Sequence, residues 1–455
     1  GGHKNGQNPT WTSNGYAGAL GSVASPKARI KPLQITQDSE LTCDVVIVGS
    51  GAGGGLAAGL LAESGLDVVL LEKGPFLSGE EFTEHEAEMI RKTYDKQGAF
   101  QTKDGGVTIF AGSCLGGGTT INWTGAFETP DYVLDEWAKD HGLDFATNGE
   151  YRKSMDRVNA AFHVNRDNPQ NQALWTASEK LGEKVEVIAR NVEGCAAHHG
   201  TDSCGYCGMG CRRGNKRGTL TTYIQRAADK GARILVGTEV KSVLSSQGVK
   251  AVVRLADGKQ AQLTVKAKRV VLAAGSIHTP AILMRSGITH AGIGQNLFFH
   301  PTLGVTGTYD EPMNPWLGVM MSAVNKQNIH LDGNYGFWVE TPPVHPGVGA
   351  MSLAWETPAR HKATLATASH LGAFIVLTRD KFGGRVLVDK DGFPVVDYKL
   401  SAYDRNHMLM GMKKAFELHR AAGANEITFQ HAAPHSYKVK TSKMSAEAWL
   451  DRLPN

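Results

Sequence analysis

The stretch DVVIVGSGAGGGLAAGLLAESGLDVVLLE (residues 44–72) decides the fold. Residues 44–50 form a short apolar, β-branched run ending in glycine, the pattern of a strand buried in a parallel sheet. Residues 53–64 carry helix formers with apolar spacing, and residues 67–72 repeat the strand pattern. Together they predict one strand–helix–strand unit of about 30 residues. Gly49-Ser50-Gly51-Ala52-Gly53-Gly54 fits G-x-G-x-x-G at the first junction. Gly49 permits the tight turn, Gly51 lets backbone approach a pyrophosphate, and Gly54 lets the helix pack close to the strand. The helix N-terminus then faces the phosphates. Glu72 ends the second strand about 20 residues after the turn, where a carboxylate can accept bonds from a ribose 2′-OH. An acid there favours FAD or NAD over NADP.

The rest of the chain sets the bounds. At 455 residues it suits two or three domains, possibly interleaved in sequence. Hydrophobic residues make up 41% and charged residues 20%, so a large core forms and wholesale disorder is excluded. The net charge of +4 comes without a Lys/Arg block, so no nucleic-acid partner is expected. Glycine is abundant and clustered, which points to backbone held close to a ligand. No apolar run reaches the roughly 18 residues of a membrane span. The opening GGHKNGQNPTWTSNGY lacks a signal-peptide pattern, and a start on Gly1 suggests a missing upstream segment. Six cysteines in a chain this long do not make a secreted disulfide scaffold, so an intracellular protein is expected.

Residues 1–39 read as an irregular arm, 105–128 as a glycine-dense loop, and 129–137 as a helix with Pro130 at its first position. Residues 147–190 read as mainly helical, and 219–231 as an amphipathic helix closed by Gly231. A strand meander covers 233–265, VVLAAG (270–275) reads as a further strand of its own, and 403–422 reads as a helix.

The loop AGSCLGGGTTINWTGAFETP (111–130), with GSGAGGG before it and AAGSIHTPAILMRSGI (273–288) after it, resembles the glucose-methanol-choline (GMC) family of flavin oxidoreductases. The long-chain fatty alcohol oxidases within it are more similar still. GGGTTINW resembles their GGGSxxNW, IGQNLFFHP (293–301) their IGxNLxxHP, and CGYCGMGCRRGNKRGT (204–219) their CGxCxxGCxxGxKxGT; TPPVHPG (341–347) and LTRDKFGG (377–384) also have counterparts. The resemblance runs from about residue 40 to 445. Physically, Gly116, Gly117 and Gly118 can lie flat against a ring system and donate N–H groups, Asn122 offers an amide, and Trp123 a flat wall. Asn122-Trp123-Thr124 is also a glycosylation sequon, read here as coincidence.

The resemblance implies a mixed α/β (α+β) fold. A Rossmann-like FAD-binding domain would take 40–128 and 205–300. A substrate domain of antiparallel sheet with helices would take 129–204 and 301–455. It also implies Gly112, Thr119, Val240 and Gly275 as further cofactor residues. Family members take a hydride from a long-chain aliphatic alcohol to flavin N5, and O2 or another acceptor reoxidises the flavin. Peripheral membrane association or a peroxisomal location would also follow from the resemblance. WLGVMMSAV (316–324) fits either an alkyl channel or a core strand.

The family's base is a histidine in a C-terminal HQMGxCRMG motif, and none is present here. It is expected beyond Asn455 or on a separate chain, so no catalytic residue is assigned. A chain truly ending there is expected to oxidise alcohols weakly and to retain FAD poorly. Of the remaining histidines, His300 reads as structural and hydrogen-bonded, His278 as packing at a turn, and His407, His419, His431 and His435 as surface residues.

Cys195, Cys204, Cys207 and Cys211 can ligate Zn or an iron–sulfur cluster, with His198 and His199 as further Zn ligands. A CxxC disulfide and inert thiols are the alternatives. Arg212, Arg213, Lys216 and Arg217 are expected to favour thiolate. Cys43 and Cys114 read as structural. Two other functions compete with alcohol oxidation. One is a flavin-linked disulfide reductase using Cys204 and Cys207, although no second GxGxxG is present. The other is a non-catalytic flavoprotein.

Overall fold

A computed structural model describes residues 9–16, 18, 28–159, 163–164, 168–195, 204–245, 247–353, 355–430 and 435–452. Two sheets carry most of the chain. The first has six strands in the order Arg233–Leu235, Val68–Leu71, Ser39–Val48, Gln260–Leu272, Gly248–Arg254, Thr238–Val243. The first four are parallel to their neighbours, and the last two join antiparallel. The β-branched run predicted at 44–50 lies near its centre. Val46 and Ile47 are fully buried and Val69 and Leu70 pair beside them, which is why both strands lack alternation. The helix Ala52–Glu63 packs against Tyr223–Asp229 over one face. Gly59 allows this approach, because a Cβ there would lie 2.9 Å from the Tyr223 carbonyl oxygen.

Register aligns three strand ends. Val48 pairs with Leu71 on one side and Leu272 on the other. The glycine turn at 49–54, Glu72 and the Ala273–Gly275 turn therefore emerge together at the C-terminal edge of the sheet, the usual ligand edge of open α/β sheets.

The second sheet is antiparallel and seven-stranded, in the order His435–Lys438, Glu426–Phe429, Thr302–Thr308, Leu371–Thr378, Phe337–Glu340, Ala323–Asn325, Val185–Val187. Helices Pro169–Lys180 and Ala402–Ala421 cover one face through a core that includes Leu174, Val305, Phe374, Val376, Phe416 and Phe429. The opposite face carries Val324, Trp338, Glu340, Ile375 and Leu377, by alternation along the paired strands.

Several local expectations change. VVLAAG is not a strand of its own. Residues 270–272 are the end of one 13-residue strand, Gln260–Leu272, whose first half pairs with the meander and whose second half pairs with Ser39–Val48. Pro130 is the residue before the helix Asp131–His141, in extended backbone, and Gly142 closes that helix in the left-handed region. Residues 147–190 hold the helices Glu150–Asn159 and Pro169–Lys180, but 185–187 and 189–190 are strands recruited by pairing with distant partners. The arm contains a short helix, Pro9–Ser13.

The histidines also move. His407 and His419 are buried, not on the surface. His419 is held by the Tyr309 hydroxyl (2.7 Å) and the Val305 carbonyl (2.9 Å), and burial pushes its pKa down to about 3. His300 is exposed and makes no side-chain hydrogen bond among the described residues. His431 lies outside the described residues, and of His435 only the backbone is described.

Candidate cofactor and substrate site

The glycine turn behaves as its spacing predicts. Gly49 sits at φ +92°, and a Cβ there would lie 2.4 Å from the Ala273 carbonyl oxygen. A Cβ on Gly54 would lie 1.9 Å from the Gly49 oxygen, so only glycine lets the helix start this close to the strand end. Gly51 and Gly53, in contrast, face open space. Gly51 precedes the helix with no side-chain cap, which leaves the first helical N–H groups available to an anion.

The second glycine loop lies directly on the first. Gly117, at φ +54°, has its missing Cβ direction 2.8 Å from the Gly51 Cα. Gly116 is also left-handed, and Gly112 packs against the Gly117 backbone within the loop. Gly118 faces open space, as does Gly275 at φ +81°. Four glycines from three separate segments (Gly51, Gly53, Gly118, Gly275) thus border space that side chains would fill. The donor set, backbone N–H groups at a helix N-terminus, suits a pyrophosphate-bearing dinucleotide.

Glu72 does more than await a ribose. It is buried, and its Oε2 accepts from Ser50 N (3.1 Å) and Ser50 Oγ (2.6 Å), while Oε1 accepts from Gly74 N (2.9 Å). The Gly116 N–H donates to Ser50 Oγ at 2.9 Å. Glu72 therefore ties both glycine loops together, with little acceptor capacity left over. Thr119 Oγ donates to the Gly116 carbonyl (2.7 Å) and accepts from Thr219 N (3.0 Å), and Thr219 Oγ donates to the Ser50 carbonyl (3.1 Å). Val240 places its side chain in the sheet core, so only its backbone is available to a ligand.

Just past Glu72, Lys73 Nζ lies 2.7 Å from Asp95 Oδ1, and His278 Nε2 lies 2.6 Å from Asp95 Oδ2. Burial would raise the Asp95 pKa. The His278 hydrogen bond and the Lys73 charge outweigh it and hold the carboxyl well below the usual range. His278 therefore ties the helix Gly275–Arg285 to this edge of the site through its contact with Asp95. No local pattern marks Asp95, Thr219 or this role of Lys73, because their partners are 22 to 205 residues away.

The cysteine segment is a wedge against the second glycine loop. Lys216 is buried, and its Nζ donates to the carbonyls of Thr120 (2.8 Å), Asn122 (2.7 Å) and Cys207 (2.6 Å). Tyr94 Oη donates to the Gly208 carbonyl (2.7 Å), and a Cβ on Gly208 would meet the Trp123 indole nitrogen. All six cysteines are free thiols. The expectation of thiolates is overturned for Cys195, Cys204 and Cys211. Burial pushes Cys195, Cys204 and Cys211 up, and the neighbouring Cys207 adds to the rise in each. Arg190 and Arg213 beside Cys195, and Lys216 beside Cys211, act in the opposite direction but do not prevail. Among the described residues no group of three or more His, Cys, Asp or Glu is placed to hold a metal ion. His198 and His199 lie outside the described residues. Cys43 and Cys114 are buried and pushed up to about 11 and about 12.

From Asn122 the loop runs onto the open face of the second sheet. Asn122 is exposed, and Trp123 packs with Trp338 against Ile188, Met321 and Val324. Phe127 stacks on Trp338 with ring centroids 4.8 Å apart. Residues 316–324 thus divide: Trp316, Val319 and Met320 are core, whereas Met321 and Val324 meet the loop. Among the described residues no helix is long and apolar enough to cross a membrane.

Comparison with known proteins agrees with this arrangement. Residues 90–302 match the GMC oxidoreductase family model, and 47–113 match an NAD(P)-binding Rossmann-like domain. Two long-chain-alcohol oxidases of Arabidopsis thaliana are similar. FAO3 is 30% identical over 93% of this chain and 62% of its own length; FAO4A is 32% identical over 89% of this chain and 57% of its own. The chain therefore spans about three-fifths of the length of these relatives. Among solved structures, pyridoxine 4-oxidase from Mesorbium loti has a TM-score of 0.62 at 16% identity, covering 90% of this chain and 86% of that one. Formate oxidase has a TM-score of 0.60 at 17% identity, covering 84% and 82%. These two share the fold.

Proposed function

Because the chain belongs to the GMC oxidoreductase family, in its fatty alcohol oxidase branch, we propose that it binds FAD between its two glycine loops and takes part in oxidising long-chain primary alcohols to aldehydes. The supporting observations are the glycine-bordered space at the uncapped helix start and the 122–127 loop, which carries Trp123 and Phe127 from the second glycine loop onto the apolar face of the second sheet. When bound, FAD supplies the hydride acceptor. The chain's own residues position it. The N–H groups around Gly51–Gly53 face the pyrophosphate, Glu72 and Ser50 fix the spacing of the loops, and Lys216 anchors the carbonyls behind Asn122. Met321, Val324 and Trp338 shelter the alkyl chain from water. The division into 40–128 with 205–300, and 129–204 with 301–455, belongs to the same proposal, as does O2 as the final acceptor.

The disulfide-reductase alternative loses support, because its attacking group must be a thiolate and burial pushes the Cys204 thiol well up. The test is to reconstitute the purified protein with FAD, remove free flavin, and assay dodecanol with O2 for dodecanal and peroxide. Retained FAD with both products supports the reading. Failure to bind FAD, or bound FAD that dodecanol never reduces, overturns it.

A further inference from the structure

Among the described residues, the face of the second sheet opposite its helices buries three polar side chains that have no hydrogen-bond partner. Glu340 is fully buried, and neither carboxylate oxygen has a hydrogen-bond partner. Two residues earlier on the same strand and face, the Trp338 indole N–H is buried and unpaired. Ser322, also fully buried, leaves its hydroxyl unpaired two residues before Val324, the cross-strand neighbour of Glu340. A buried polar atom without a partner costs roughly 1–3 kcal/mol, so three on one face are expensive unless something completes them. Their surroundings are apolar. Val324 and Ile375 flank Glu340 on the adjacent strands, and Trp338 carries Phe127 from the loop that leaves the cofactor cradle.

We propose that Ser322, Trp338 and Glu340 form the recognition site for the hydroxyl end of the substrate, with Glu340 both donating to and accepting from that hydroxyl. The inference rests on the reading of the protein as a long-chain alcohol oxidoreductase and names the group that reads the alcohol. The chemistry fits. A protonated carboxyl offers one donor and one acceptor, and an alcohol needs one of each. Burial pushes Glu340 up to about 8, so the carboxyl is neutral near pH 7, and Lys326 is the charged group that opposes the shift. Lys326 is itself paired to Glu186 at 2.7 Å, on the strand beyond it. An apolar face would hold an alkyl chain of any kind. The polar trio is what separates an alcohol from an alkane.

The test is binding, read by tryptophan fluorescence without added flavin, with dodecanol and dodecane as probes. The wild-type protein is expected to prefer dodecanol by about tenfold, the worth of one net hydrogen bond. Glu340→Leu should bind both probes equally. Glu340→Gln, which keeps a donor and an acceptor, should retain most of the preference and serves as the control for folding. Equal binding of both probes by the wild type, or a preference that survives in Glu340→Leu, overturns the inference while leaving the proposed function standing. Binding of neither probe counts against both, and the FAD and dodecanol assay above then decides the function separately.

Discussion

Glu340 makes a sharp prediction about stability as well. Replacing it by Gln removes the proton that links folding to pH at this site. An ordinary glutamate titrates at 4.5, and burial here pushes Glu340 to about 8. Between those values the unfolded chain has released its proton and the folded chain still holds it. The unfolded state therefore binds fewer protons, and stability falls as pH rises through this interval. The interval is 3.5 units, and at ~1.4 kcal/mol per unit the loss reaches about 5 kcal/mol by pH 8. Below 4.5 both states are protonated, above 8 both are ionised, and the contribution is flat at either end. Glu340→Gln cannot ionise, so it should gain on the wild type steadily from pH 4.5 to 8. Urea unfolding of both proteins across pH 4 to 9, followed by tryptophan fluorescence, measures the difference directly. Parallel curves for the two proteins would refute the reasoning, because they would mean that Glu340 is solvated or paired in solution.

Three further outcomes are expected. A Cβ at Gly118 has no described atom within 4 Å, so Gly118→Ala should shift stability by no more than about 0.5 kcal/mol while FAD retention falls; retained flavin would show that the cofactor lies elsewhere. Lys216→Met strands the carbonyls of Thr120, Asn122 and Cys207 and should cost about 3 kcal/mol together with faster FAD release, measured by flavin fluorescence recovery. Thiol titration of protein unfolded without reductant should count six, with slow reaction in the native state; a count of four would establish a disulfide, and stoichiometric zinc or iron in the same sample would establish a metal.

The strand–glycine–helix segment was legible because its requirements are local. Gly54 is forced by the Gly49 carbonyl within the same turn and Gly49 by its own left-handed backbone, and β-branched runs mark buried parallel strands wherever they occur. Pro130 was misplaced by one position because a proline suits either side of a helix start. Residues 185–187 and 189–190 became strands through partners 25 or more residues away, which no local propensity reports. The cysteine segment misled in a particular way. Basic neighbours in sequence suggested thiolates, but the thiols are buried, and desolvation exceeds the effect of the nearby cations.

By itself the sequence determined the dinucleotide turn, the mixed α/β class and the family, because each is written in residue types at short, fixed spacing. Only the tertiary structure decided that Glu72 and Ser50 lock two glycine loops together, that Lys216 anchors the cofactor loop to the cysteine segment, and that Ser322, Trp338 and Glu340 lie unpaired on one face. These are statements about burial and about which groups remain without partners. Both are set by strands that meet in space from distant parts of the chain, and a linear pattern holds no record of them.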